Sequence, residues 1–230
     1  MDATILDIEI PLAERAYREL RRAIVRCEYE PGERLRVDDL GKRFEISNTP
    51  IREALSRLAE QGLVRSIDNR GFRVAPLTVD GISDLTRIRL LIECEALRDA
   101  IAHGGDSWET AMVAAAHSLS LIEQRLGDEP VALDNNWSER HRLFHLAIYS
   151  GCSSPMLKEM VTQLFDSAER YRRYSASHRQ TDRDKHDEHN KILQCVLTRN
   201  VDAAVDLLSN HIKATQKTVT NALMSLSAKK

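Results

Sequence analysis

Four histidines carry the densest chemistry in this chain. His141 and His145 stand four residues apart, so a helix places both imidazoles on one face, beside Phe144 and Ile148. His189 falls on an apolar stripe with Ile192, Leu193 and Val196, and His211 on one with Leu207, Leu208 and Thr215. The turn between these two stripes is at Arg199-Asn200. At 1.5 Å per residue, near-equal arms from that turn put both side chains at the same height, about 15 Å from it. A pair on one helix and single residues on two others make a four-nitrogen site for a divalent metal ion, zinc first, with nickel or manganese as alternatives. Ligands that are all neutral leave the ion its full charge, which favours an anion in an open position. Arg89, flanked by Leu85 and Ile92, falls on or beside an inward stripe. A buried guanidinium needs an anion, either Glu93 one turn on or an effector carboxylate held bidentately. Metal at one end and Arg89 at the other would select a small dicarboxylate or hydroxy acid. Tyr171 could add a hydrogen bond to it, or be plain core.

The histidines need helices, and helices are what the pattern supplies. Aromatics are 5% and Gly and Pro only 9 and 6 of 230 residues, which leans towards helix. From residue 80 onward, helices are expected near 80–103, 106–126, 130–150, 154–177, 183–198 and 201–227. Gly104-Gly105, Gly127 to Pro130, Gly151 to Pro155 and Arg199-Asn200 break them. Short loops make neighbours antiparallel, so the segment is an all-helical bundle. Within it "RYRRY" at 170–174 reads as a solvated helix face with one or two tyrosines turned inward.

Before residue 78 the grammar changes. A first helix is expected over 13–27 and a short second one around Val37, Leu40 and Phe44. A third opens at "SNTPIREAL", with Ser47 as cap and Pro50 in the first turn. "LVRSI" and "GFRV" then form a hairpin. Three helices and a hairpin are the order of a winged helix-turn-helix. From Gly41 to Ala75 seven cations (Lys42, Arg43, Arg52, Arg57, Arg65, Arg70, Arg73) face four anions (Glu45, Glu53, Glu60, Asp68), a net +3 in a chain of net charge -2. The chain is therefore expected to be mostly α, with a winged helix-turn-helix, DNA-binding domain at 1–77 and an all-helical domain at 78–230, for which the resemblance given below implies effector binding and dimerisation.

"PGERLRVDDLGKRFEISNTPIREALSRLAEQGLVRSIDNRGFRVAPL" resembles the DNA-binding domain of GntR-family bacterial regulators, and the helical remainder resembles the FadR-type (FCD) effector domain of that family. Parts of it, "ERHRLFHLAIYSGCSSPML" and "ERYRRYS", are similar to dicarboxylate-responsive members. The resemblance implies a homodimer on a palindromic operator in double-stranded DNA. The third helix would enter the major groove, with Arg52 placed for a bidentate guanine contact. Thr49, Ser56 and the amides behind Ser47 would hold phosphates, and Arg70 and Gly71 would make the wing contact, with Arg43 completing the set. The family usually has Arg where this chain has Asn48, and Asn prefers adenine edges. In metal-binding FCD domains the resemblance implies an Asp-x-x-x-His pair and two later histidines; His141 occupies the Asp position.

The function expected is a repressor released by a small organic acid and not an enzyme. "HRLFH" has the spacing of a zinc-protease helix, but Arg142 stands where the catalytic Glu is needed. A metal-free pocket, with the histidines as polar lining, is the alternative. Scattered Cys27, Cys94, Cys152 and Cys195 fit a reducing compartment, and no apolar run of about 20 residues spans a membrane. A cytoplasmic protein is expected.

Overall fold

The computed structural model describes residues 10–68, 70–126, 133–177 and 186–227. The chain divides into two compact units, Met1–Pro76 and Leu77–Lys230.

The first unit contains α1 (Leu12–Val25), β1 (Arg34–Leu35), α2 (Val37–Phe44), α3 (Asn48–Glu60), β2 (Val64–Ile67) and β3 (Gly71–Val74). Ala16, Leu20 and Ile24 of α1 pack with Ile51, Ala54, Leu55 and Leu58 of α3 in one buried cluster. This apolar stripe fixes the roll of α3 and turns Asn48, Thr49, Arg52 and Ser56 to solvent. Glu45 closes α2 in the left-handed region at φ 56°, giving the tight connection to α3. Pro31-Gly32 is a turn in which Glu33 N–H donates to Glu30 O and Gly32 takes φ +85°, a backbone conformation that glycine adopts without strain. That turn delivers β1, which the sequence pattern does not announce. β1 pairs antiparallel with β3, and β3 with β2, giving a sheet of order β1-β3-β2.

The second unit consists of α4 (Val79–His103), α5 (Asp106–Leu126), α6 (Asn135–Tyr149), α7 (Pro155–Ala176), α8 (His186–Leu197) and α9 (Val201–Ser227). α4 packs against α6, α7 and α9; α5 packs against α6 and α8; α8 lies on α9. Trp137, Phe144, Ile148, Ile192, Val196, Leu208 and Ile212 form the core that holds α6, α8 and α9 together. α6 opens at Asn135 behind an Asp134 cap, whose Oδ1 accepts the Trp137 N–H at 2.7 Å. The expected starts at 130 and 183, the Gly127 to Pro130 break and Asn69 of the hairpin turn lie outside the described residues. Among the described residues no helix is long and apolar enough to cross a membrane.

One expectation is overturned. The "RYRRY" run is buried, with Arg170, Tyr171, Arg172 and Arg173 all 8% exposed or less. Partners offset the desolvation of the guanidiniums. Arg172 pairs with Glu169 at 2.8 Å and lies 4.5 Å over the Phe165 ring. Arg173 donates to Leu133 O, Asn135 Oδ1 and Ser138 Oγ at the start of α6.

Candidate metal centre and nucleic-acid interface

The four histidines meet. His141 and His145 come from α6, His189 from α8 and His211 from α9, each 5% exposed or less. One nitrogen of each lies within 4.8 Å of one nitrogen of every other. The hairpin geometry holds, with the His189 and His211 ring centroids 5.1 Å apart. His145 Nε2 and His141 Nε2 approach to 3.1 Å. With metal–imidazole bonds of about 2.1 Å, neighbouring donor nitrogens on one ion stand about 3.0–3.4 Å apart. The donor set therefore fits a divalent ion once its widest edge, up to 4.8 Å, shortens by about 1.4 Å, or roughly 0.7 Å of movement for each ring.

The surroundings orient the rings. His211 Nδ1 donates to Glu188 Oε2 at 2.8 Å, which leaves its Nε2 lone pair for the cluster. Glu123 Oε1 lies 4.0 Å from His189 Nδ1 and accepts from Trp137 Nε1 at 3.2 Å. Trp137 in turn stacks on His141, centroids 4.5 Å apart and planes 13° from parallel. Phe165 packs against both His141 and His145. Burial, then the charges of His211 and His189, hold the His145 pKa well below its ordinary value, keeping it the neutral imidazole a metal needs.

Arg89 is buried and pairs with Glu93, Nε to Oε1 at 2.5 Å and Nη2 to Oε2 at 3.2 Å. Glu93 also accepts from Tyr149 at 2.8 Å. Of the two partners weighed for this guanidinium, the structure holds the intrachain one. Tyr171 lies in a separate cluster with Ile82, Val219 and Leu223, and its hydroxyl accepts the Thr78 N–H at 3.4 Å. Arg172, beside Phe165, was not singled out from sequence, because the charged run around it reads as surface. Arg142 pairs with Asp166 at 3.2 Å.

In the first unit a polar groove is lined by Arg34, Arg36, Asp38, Asp39, Lys42, Arg52, Asp68, Arg70 and Gly71, with Ser66 and apolar neighbours. Arg52 projects from the first two turns of α3, and Arg70 and Gly71 from the hairpin tip. Arg34 and Arg36 join this groove only because β1 pairs with β3. Ser47 occupies the N-cap of α3, but its side chain makes no capping hydrogen bond. That corrects the expected cap and leaves the first N–H groups of α3 without the Ser47 oxygen. Arg43 is engaged within the unit, pairing with Glu28 at 2.5 Å and donating to Tyr29 at 2.8 Å.

Profiles of known families match both units. The bacterial regulatory proteins of the gntR family match residues 12–74, and the FCD domain matches residues 84–214. The chain belongs to the GntR family. As a GntR regulator with an FCD domain, it is a DNA-binding transcriptional regulator. It is 38% identical over 203 residues to the HTH-type transcriptional regulator BphR of Paraburkholderia xenovorans, covering 88% of this chain and 83% of that one. It is 36% identical over 200 residues to the HTH-type transcriptional repressor GlaR of Escherichia coli, covering 85% and 90%. Among solved structures, E. coli McbR/YncC shares the fold with TM-score 0.79 at 20% identity, over 93% of this chain and 99% of that one.

Proposed function

We propose that this GntR regulator is a homodimeric repressor whose FCD domain holds a divalent metal ion on His141, His145, His189 and His211 and releases its operator when a small carboxylate binds there. The observation that carries this reading is the convergence of four buried imidazoles from three helices. Isolated buried histidines are ordinary, but four donors within 4.8 Å of one another are the chemistry of a cation site. Bound there, the ion would supply an electrophilic anchor for an anionic ligand, because neutral imidazoles cancel none of its charge. Zinc suits nitrogen ligands, and nickel or manganese suits a more open arrangement.

The ligand class follows from what surrounds the anchor. Arg172 and Arg89 both raise the positive potential felt at His145. One carboxylate on the metal side and a second polar end towards these guanidiniums describe a dicarboxylate or hydroxy acid. Arg89 would exchange part of its contact with Glu93 for the ligand, and Tyr171 would act from the packing layer behind. In the DNA-binding unit, Arg52 would read a guanine edge, while Thr49, Ser56, Ser47 and the free N–H groups of α3 hold phosphates. Arg70 and Gly71 would follow the wing contact, and Arg43 would back α3 from its Glu28 and Tyr29 anchors. The repressor sense is supported by the name of GlaR, an HTH-type transcriptional repressor at 36% identity.

Operator binding measured with a panel of dicarboxylates and hydroxy acids tests the reading. At least one acid is expected to weaken binding, and only in metal-loaded protein. If every acid leaves metal-loaded protein unchanged, the reading fails.

A further inference from the structure

At the edge of the groove a side-chain pair joins α2 to α3. Asn48, at the first position of α3, donates from Nδ2 to Asp38 Oδ1 of α2 at 2.7 Å. Both residues are exposed, and Asp38 lines the groove together with Arg34, Arg36, Arg52 and Arg70. Asp38 stands in the first turn of α2, and like Asp39 and Asp68 it brings a carboxylate to a face lined with arginines. Gly41 provides the floor: a Cβ at that position would stand 3.1 Å from Asn48 Oδ1 and 2.9 Å from Ile46 O. The Asn48 carboxamide is therefore held from one side by Asp38 and lies over bare backbone on another.

We propose that Asp38 is the positioning residue for base reading by Asn48, so that α2 and α3 form one specificity element. A free carboxamide has two N–H donors and one carbonyl acceptor. Asp38 takes one donor, which leaves one donor and one acceptor. That remainder matches the major-groove edge of adenine, where N7 accepts and N6 donates. The guanine edge offers two acceptors, and the Asp38 carboxylate close by makes it worse still. The pair thus selects adenine and rejects guanine through one shared hydrogen bond. This inference rests on α3 being the groove-reading helix, as proposed above.

The test is selection of bound duplexes from a pool of randomised 30-base-pair DNA by the full chain, followed by sequencing, with melting curves recorded alongside. The native chain is expected to enrich adenine at one position per half-site. Asn48→Ala should flatten that position, and Asp38→Ala should flatten the same one by roughly fivefold or more. Asp38→Asn, whose carbonyl still accepts, should restore the adenine preference. In the Asn48→Ala background, Asp38→Ala should change base preference no further. The inference is overturned if Asp38→Ala lowers the melting temperature yet keeps the native preference at every position. That outcome would reduce Asp38 to a favourable charge at the start of α2. It is also overturned if Asp38→Ala alters preference equally with and without Asn48. Arg52→Ala separates the two failures: undiminished selectivity in that variant would remove the underlying reading instead.

Discussion

His211 shows how much one side chain depends on the residue behind it. Its Nδ1 is held by Glu188 at 2.8 Å, so the tautomer that points Nε2 at the cluster is fixed before any ion arrives. Glu188→Gln should lower metal affinity about 10- to 100-fold, measured by competition with a chromophoric chelator. His189→Ala and His211→Ala should each lose bound metal in elemental analysis of protein purified without a histidine tag. The histidines and Arg52 were legible in the sequence, because helical spacing alone states which face each occupies. Glu188 and Arg172 were not. Their roles depend on which helices meet, and a charged residue in a helix pattern looks the same whether it faces water or a buried ring. For Arg52 the expected loss on substitution by alanine is about 1–3 kcal/mol of operator affinity, or a factor of roughly 5 to 150.

At the scale of elements, the metal-site helices are set by their turns. Arg199 takes φ 56° between α8 and α9, and its guanidinium donates to Ile101 O, Gly104 O and Glu109. The turn that levels His189 with His211 is thereby tied to the end of α4. Gly104 is required there, since a Cβ would fall 2.0 Å from Cε3 of Trp108, whose indole donates to Ala147 O in α6. Gly104→Ala should cost about 1–3 kcal/mol, seen as a lower melting temperature. A second tie joins α4 to the start of α7, where Asp99 accepts the Ser153 N–H at 2.5 Å and the Ser153 hydroxyl at 3.1 Å. The Cys152 thiol and then the Ser153 N–H pull the Asp99 pKa from 3.8 to about 2. The folded value lies below the unfolded one, so this contribution is present above about pH 4 and is lost as pH falls towards 2. Melting temperatures of the native chain and Asp99→Asn across pH 2–6 should therefore differ most at the upper end and converge at the lower. Element order followed from periodicity and breakers. The two-residue β1 did not, because a strand that short carries no alternation.

For the whole molecule, the proposed regulation requires two copies reading two half-sites. α4 carries an exposed apolar pair, Ile88 at 37% and Leu91 at 65%, one turn apart on a face the bundle does not use. Leu91→Glu should shift sedimentation towards monomer and weaken operator binding while leaving the metal content unchanged. The division into a DNA-binding unit and a helical unit was evident from the change of grammar near residue 77. The coupling between them is the central claim, and one titration addresses it directly. Operator affinity of metal-loaded full-length chain is measured by fluorescence anisotropy against rising dicarboxylate, beside the His189→Ala, His211→Ala double variant. The account predicts that the acid loosens the native complex and has no effect on the variant. Equal response in both, or none in either, would contradict it.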